Sequence, residues 1–187
     1  MTRQAIQAVS KIAEDLNAFM VYGGTDMGMM AEVGQIHWQS HYTFPLIGIV
    51  PQQLVTWPGG PVNRYFLGMG KQRWQLEPHY SHFILVPGSQ PGDVSPWMVD
   101  AVTILSKEKQ SVTILINDGE VSRKDIQLSM AMSRPVIAMR GTGLLADDFS
   151  MKVIRNKLIT VIPMNAYHRI IDAVKVALLV EKRIDFS

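Results

Sequence analysis

The chain has 187 residues, 47% apolar and 18% charged, which suits one domain with a sizeable core and argues against disorder. Eighteen Lys and Arg against sixteen Asp and Glu leave a net charge of +2 without a basic block, so charge makes no case for nucleic-acid binding. The absence of cysteine removes disulfides, thiolate metal sites and cysteine nucleophiles together, and no apolar run reaches the roughly 18 residues that span a bilayer.

The opening segment, MTRQAIQAVSKIAEDL, is amphipathic and mixed in charge, unlike a secretory signal. A soluble protein of the reducing cytoplasm, not attached to a membrane, is the expectation. Within that segment Ala5, Ile6, Val9, Ile12, Ala13 and Leu16 form a one-sided stripe that predicts a helix over 3–17. Strand-like runs follow at 19–22 (FMVY), 45–50 (PLIGIV), 82–87 (HFILVP), 111–117 (SVTILIN), 135–139 (PVIAM) and 158–163 (LITVIP). Most are continuously apolar, as strands covered on both faces must be.

Helical patterns lie between the strands. Ser95 before Pro96 reads as an N-cap followed by proline at the first helical position. Ser122 with Asp125 reads as a capping box, stapled by Val121 and Ile126. Asn165 is placed to cap a final helix whose apolar side chains include Tyr167, Ile170, Ile171, Val174, Ala177 and Leu178. Repeated strand–helix alternation predicts a Rossmann-like, doubly wound α/β domain over 1–187, with a mainly parallel sheet and helices on both faces.

The stretch 51–81 breaks the rhythm. It has no steady period and holds four prolines, four glycines and two tryptophans. Two readings stand for it: a lid, binding loop or interface element, or an excursion that covers a sheet edge.

In open parallel sheets, ligands bind beyond the carboxyl ends of the strands. The loops there are GGTDMG (23–28), PGSQPGD (87–93), NDGE (117–120) and RGTG (140–143), several with glycine beside a carboxylate, hydroxyl or arginine. Glycine lets bare amides point inward, and a following helix adds its positive end, so such loops suit a phosphate or pyrophosphate. Tight turns in proteins that bind nothing use glycine too. There is no Walker A sequence, no G-x-G-x-x-G after a strand and no G-x-S-x-G elbow. Glu77, His79 and His82 in EPHYSH do not match a metal-ligand spacing, and neither a metal nor a resident cofactor is expected. Arg64, Lys71 and Arg73 in the long connection are candidate partners for an anion, or ordinary solvated charges.

YGGTDMGMMAEVG, PLIGIVP, EPHYSHFILVPGSQPGDVSPW, SVTILINDGE and RPVIAMRGTGLLAD, in that order over residues 19 to 150, resemble the SLOG superfamily of Rossmann-like domains. Within it they are most similar to the prokaryotic LSDAT type, related to the N-terminal domains of melastatin-type TRP channels. The resemblance implies a nucleotide-derived ligand such as ADP-ribose, an NAD-related compound or a nucleoside monophosphate. Carried over by residue, the implied contacts are Gly23, Gly24, Thr25 and Gly28, then Gly88, Gly92 and Asp93, then Gly141, Thr142 and Gly143. Glu120 is a further candidate, and Asp93 or Asp26 would meet sugar hydroxyls.

Two departures from the pattern bear on activity. LOG-branch enzymes, which cut the N-glycosidic bond of nucleoside monophosphates, carry P-G-G-x-G-T-x-x-E, where this chain has PGSQPGDVS. Such domains also open with a strand and a glycine-bearing loop, whereas this chain starts at the first helix, so truncation or a missing pocket edge is expected. Three readings remain open. The leading one is a ligand-binding module, and the second an N-glycosidase using Asp93 or Glu120. The third is a ligand-free homo-oligomeric scaffold whose interface includes Trp57 and Trp74.

Overall fold

The computed structural model describes residues 2–60, 72–107, 109–116, 120–141 and 156–179. The chain divides into two compact units, Ala13–Ala101 and Met1–Ile12 with Val102–Ser187. Its elements are α1 (Thr2–Asp15), β1 (Met20–Gly23), α2 (Gly28–Gln39), β2 (Leu46–Pro51), β3 (Val55–Thr56), β4 (Trp74–Gln75), β5 (His82–Val86), α3 (Ser95–Ser106), β6 (Thr113–Leu115), α4 (Glu120–Ala131), β7 (Val136–Arg140), β8 (Ile159–Pro163) and α5 (Tyr167–Leu179). Parallel strands joined through helices make the Rossmann-like α/β architecture that the alternation predicts. Among the described residues no helix is long and apolar enough to cross a membrane.

In the Ala13–Ala101 unit the parallel sheet runs β1–β2–β5. LIGIVP is apolar on both faces, and it takes the centre, buried at every position. The register pairs Met20 with Leu46 and Gly23 with Ile49 on one side, and Ile47 with His82 and Pro51 with Val86 on the other. Ile49, Val86 and Val94 form a core cluster, against which Val21, Met98 and Ala101 pack. Fully burying side chains of this size stabilises by about 1.5–3 kcal/mol each. At the end of α1, Glu14 takes Thr43 N–H at 2.8 Å and Phe44 N–H at 3.1 Å on one oxygen, and the Thr43 hydroxyl at 2.9 Å on the other. That carboxylate fixes the turn leading into β2.

The long connection is not structureless. β3 pairs with β4 in parallel, and Leu76 then forms an antiparallel bridge with Thr25. Strands of two residues have no period to read, which is why the sequence pattern does not reveal them. Trp57 packs where a Cβ on Gly60 would sit, and Trp57 and Trp74 are both half-buried. The tryptophans that face solvent are instead Trp38, 59% exposed, and Trp97, 45% exposed.

The other unit carries a second parallel sheet, β6–β7–β8, with Val136 opposite both Thr113 and Ile159. Leu115, Ile126, Val136 and Ala138 are its buried cluster, with Met130, Ile159 and Val161 packed around them. Arg134, just ahead of β7, is 5% exposed and donates to three hydroxyls: Ser111 at 3.0 Å, Thr103 at 3.1 Å and Ser129 at 3.5 Å. Burial lowers its pKa below the ordinary guanidinium range.

The three helix starts read from the sequence fall differently. Ser95 is helical itself (φ −54°, ψ −48°), because a 3-10 turn over Pro91–Val94 precedes it and is capped by Gln90 and Asp93. Its hydroxyl is buried and has no hydrogen-bond partner among the described residues. Ser122 lies inside α4, which already includes Glu120. Asn165 sits two residues before α5, and Ala166 provides the first carbonyl, accepting from Ile170 N–H at 3.1 Å.

Two stability predictions follow from these contacts. Hydrogen bonds from Thr43 and Phe44, together with His37 nearby, hold the Glu14 carboxyl below its ordinary value of 4.5. Its contribution is therefore complete above that value and is lost as pH falls through the lower folded value. Glu14→Gln should lower the urea midpoint at neutral pH and flatten the acid limb of the stability profile, and an unchanged acid limb would contradict this. Arg134→Met should cost about 1.5–3 kcal/mol in urea unfolding by leaving the buried Ser129 hydroxyl and the half-buried Ser111 and Thr103 hydroxyls without their charged donor. A cost below about 0.5 kcal/mol, the range of an ordinary surface change, would overturn that role.

Candidate functional site

The exits of β1, β2 and β5 share the carboxyl edge of the first sheet, and the strand order puts the β2 exit between the other two. Two strand spacings therefore separate the loops after β1 and β5, about 10 Å.

The first loop answers why β1 ends in two glycines. A Cβ on Gly24 would lie 2.8 Å from the Phe83 ring and 2.9 Å from the Gly48 Cα, and one on Gly48 would lie 2.9 Å from the Gly24 Cα. Main chain meets main chain here, which only glycine permits. A Cβ on Gly23 would press on the Met30 sulfur at 2.5 Å, a flexible end that can yield. The loop's polar groups then dock onto the long connection: Glu77 N–H donates to Gly24 O and Asp26 N–H to Gln75 O, each at 2.9 Å. The Thr25 hydroxyl contacts the Met30 sulfur at 3.4 Å.

Beyond that docking, α2 starts bare. Met27 is its N-cap residue, extended at φ −147° and ψ 141°, and makes no side-chain cap. The first turn has no acidic residue. Gly28 adopts φ +53° with nothing within 4 Å of where a Cβ would point. Asp26, Met27 and Gly28 are all exposed. A helix start left uncapped presents N–H donors and the positive end of the dipole to whatever anion arrives.

The second loop is built the opposite way. Asp93 Oδ2 accepts Ser89 N–H at 2.8 Å and Gln90 N–H at 3.0 Å, and Gln90 and Asp93 cap each other reciprocally. Gly88 is tight against this turn, since a Cβ there would lie 2.8 Å from the Asp93 Cβ and 3.3 Å from the Pro51 Cβ. Position 92 has open space around it. Two amides of the kind that hold phosphate oxygens are thus already given to a carboxylate of the chain.

In the other unit, Gly141 follows β7 at φ +91°, exposed and with open space beside it. Thr142 and Gly143 lie outside the described residues, as do Arg64, Lys71 and the Glu120 side chain. Arg73 donates to Val55 O at 3.3 Å, within its own connection. His82 contacts the Ser81 hydroxyl at 2.9 Å at the amino end of β5. Among the described residues, no three His, Asp or Glu side chains gather as a metal site.

Glu77 and His79, which the sequence does not support as metal ligands, form a hydrogen-bonded pair around a buried carboxylate. Glu77 is 1% exposed, and its oxygens take His79 N–H at 2.8 Å and the His79 ring at Nδ1, 2.7 Å away. A Cβ at Gly34, in the middle of α2, would overlap that carboxylate. Mid-helix glycine costs roughly 0.5–1 kcal/mol relative to alanine, and burying a carboxylate costs several more unless it is paired. Burial first, then Tyr22 and Glu77, push the neighbouring Tyr80 phenol well above its ordinary range, so it stays protonated and donates to Met30 O at 3.3 Å. The glycine within the apolar run of α2 was the available signal.

Solved structures share the fold. A structural-genomics target aligns with a TM-score of 0.60 at 18% identity, covering 92% of this chain and 88% of that one. The molybdenum cofactor binding protein of Rippkaea orientalis gives 0.59 at 15% identity, over 92% and 87%. The molybdenum cofactor carrier protein of Chlamydomonas reinhardtii gives 0.55 at 17%, over 91% and 88%. No curated protein matches the chain. The family described as SLOG in TRPM, prokaryote, matches over residues 2–180, and the chain belongs to that family.

Proposed function

We propose that this protein binds a phosphate-bearing, nucleotide-derived ligand at the carboxyl edge of the β1–β2–β5 sheet, with the anionic group on the start of α2. The observation that carries the reading is the uncapped, open first turn of α2, free of carboxylates. In this reading Gly24 and Gly48 let the loop lie flat, Thr25 and Gly28 border the anion, and exposed Asp26 meets a sugar hydroxyl. Gly23 admits Met30 beneath them. Gly88, Gly92 and Asp93 form a neighbouring wall in the same unit.

Binding is favoured over N-glycosidic cleavage by Asp93 because Asp93 Oδ2 closes its own turn, while the side chain of Glu120, the other candidate, lies outside the described residues. A general base needs its oxygen available to water. Two proteins of similar fold are named for the molybdenum cofactor, so that molecule belongs beside the nucleotides as a candidate ligand. A cytoplasmic location and a homo-oligomeric state complete the proposal.

The test is thermal shift with ADP-ribose, NAD, cyclic ADP-ribose, AMP and molybdenum cofactor. A ligand at a hundred times its dissociation constant should stabilise by about 2.7 kcal/mol, roughly 5–10 °C for a chain of this size. Met27→Asp supplies the missing cap at an exposed position. It should raise the unliganded melting temperature, since such caps contribute about 0.5–2 kcal/mol, while shrinking the ligand-induced shift. Silence across the set, or a shift that Met27→Asp leaves intact, would refute the placement.

A further inference from the structure

A hollow of about 570 Å³ lies in the Ala13–Ala101 unit, at the carboxyl end of α2, and owes nothing to the site proposed above. Its lining includes His37, Trp38, His41, Tyr42, His79 and Tyr80. Trp38 is 59% exposed and stacks on His79, with ring centroids 5.0 Å apart and a tilt of 33°. His41 follows the helix end at φ +52°, uncommon for a side-chain-bearing residue.

Three features give this hollow one electrical sense. The carbonyl end of α2 carries partial negative charge. The aromatic rings offer electron-rich faces. Behind His79 lies the buried Glu77 carboxylate, which can only accept, so in the neutral imidazole Nδ1 is the donor in their 2.7 Å contact and Nε2 is left as an acceptor. His37 is turned inward, its Nε2 2.9 Å from Phe44 O. Gly34, whose Cβ would displace Glu77, makes this arrangement possible.

We propose that the hollow is a binding site for a small organic ammonium ion, its charge over the open face of Trp38 and an N–H donated to His79 Nε2. Tyr42 and Tyr80 contribute further aromatic lining, and Glu77 is a positioning residue that fixes the His79 tautomer.

Three probes sharing one ring separate charge from shape: benzylammonium, benzyl alcohol and benzoate. Each is titrated to millimolar concentration into the ¹⁵N-labelled full chain near pH 8. Benzylammonium should shift the Trp38 indole and the amides of 37–42 and 78–80 saturably, benzyl alcohol more weakly, and benzoate not at all. Trp38→Ala, at an exposed position, should weaken benzylammonium roughly two- to thirtyfold. Glu77→Gln should weaken it also and move the His79 imidazole ¹⁵N shifts off the single tautomer, with the amide spectrum elsewhere retained. Equal binding of benzoate or benzyl alcohol, shifts confined to other regions, or full affinity in Trp38→Ala would overturn the proposal. If Glu77→Gln unfolds, the Trp38→Ala and probe comparisons decide alone.

Discussion

The contact of Gly24 with Gly48 governs the Ala13–Ala101 unit. Two main chains approach so closely that neither position accepts a Cβ, and the Phe83 ring closes over both. The β1 exit therefore lies flat against the sheet. Its carbonyl at Gly24 and amide at Asp26 face the segment Gln75–Glu77, which docks there antiparallel. One contact thus places the loop where the segment Gln75–Glu77 pairs with it. It also carries Glu77 to Gly34, where the carboxylate is buried against the middle of α2.

The two loops at the carboxyl edge show how similar composition can serve opposite ends. GGTDMG gives its polar groups to the chain and then opens a helix with no cap. PGSQPGD contains a carboxylate and turns it on its own amides. A phosphate approaching the second loop would meet Asp93 where it would need free donors, whereas the first turn of α2 has no such competitor. Electrostatics therefore divides an edge that glycine content alone made look uniform.

Much of the architecture was legible because burial dictates it. LIGIVP reads as a strand covered on both faces, and it is the buried centre of its sheet. Helix boundaries were less legible. Ser95 looks like an N-cap, but the 3-10 turn ahead of it moves the capping to Gln90 and Asp93. The strands β3 and β4 are too short to carry a period. At the site, the glycine-rich loops were visible, but the reason for Gly24 was not, since its partner Gly48 belongs to another strand and contact across strands leaves no local pattern. Glu77 and His79 read as hydrogen-bonded residues rather than metal ligands, but the burial of the carboxylate was not legible because it depends on Gly34, over forty positions away.

Amide chemical shifts offer the most direct test of where an anion sits. With AMP titrated into ¹⁵N-labelled protein, the Gly28 and Met29 amides should move downfield together and saturate, while those of Ser89 and Gln90, already held by Asp93, stay in place. Movement at Ser89 and Gln90 with the start of α2 unaffected would contradict the account.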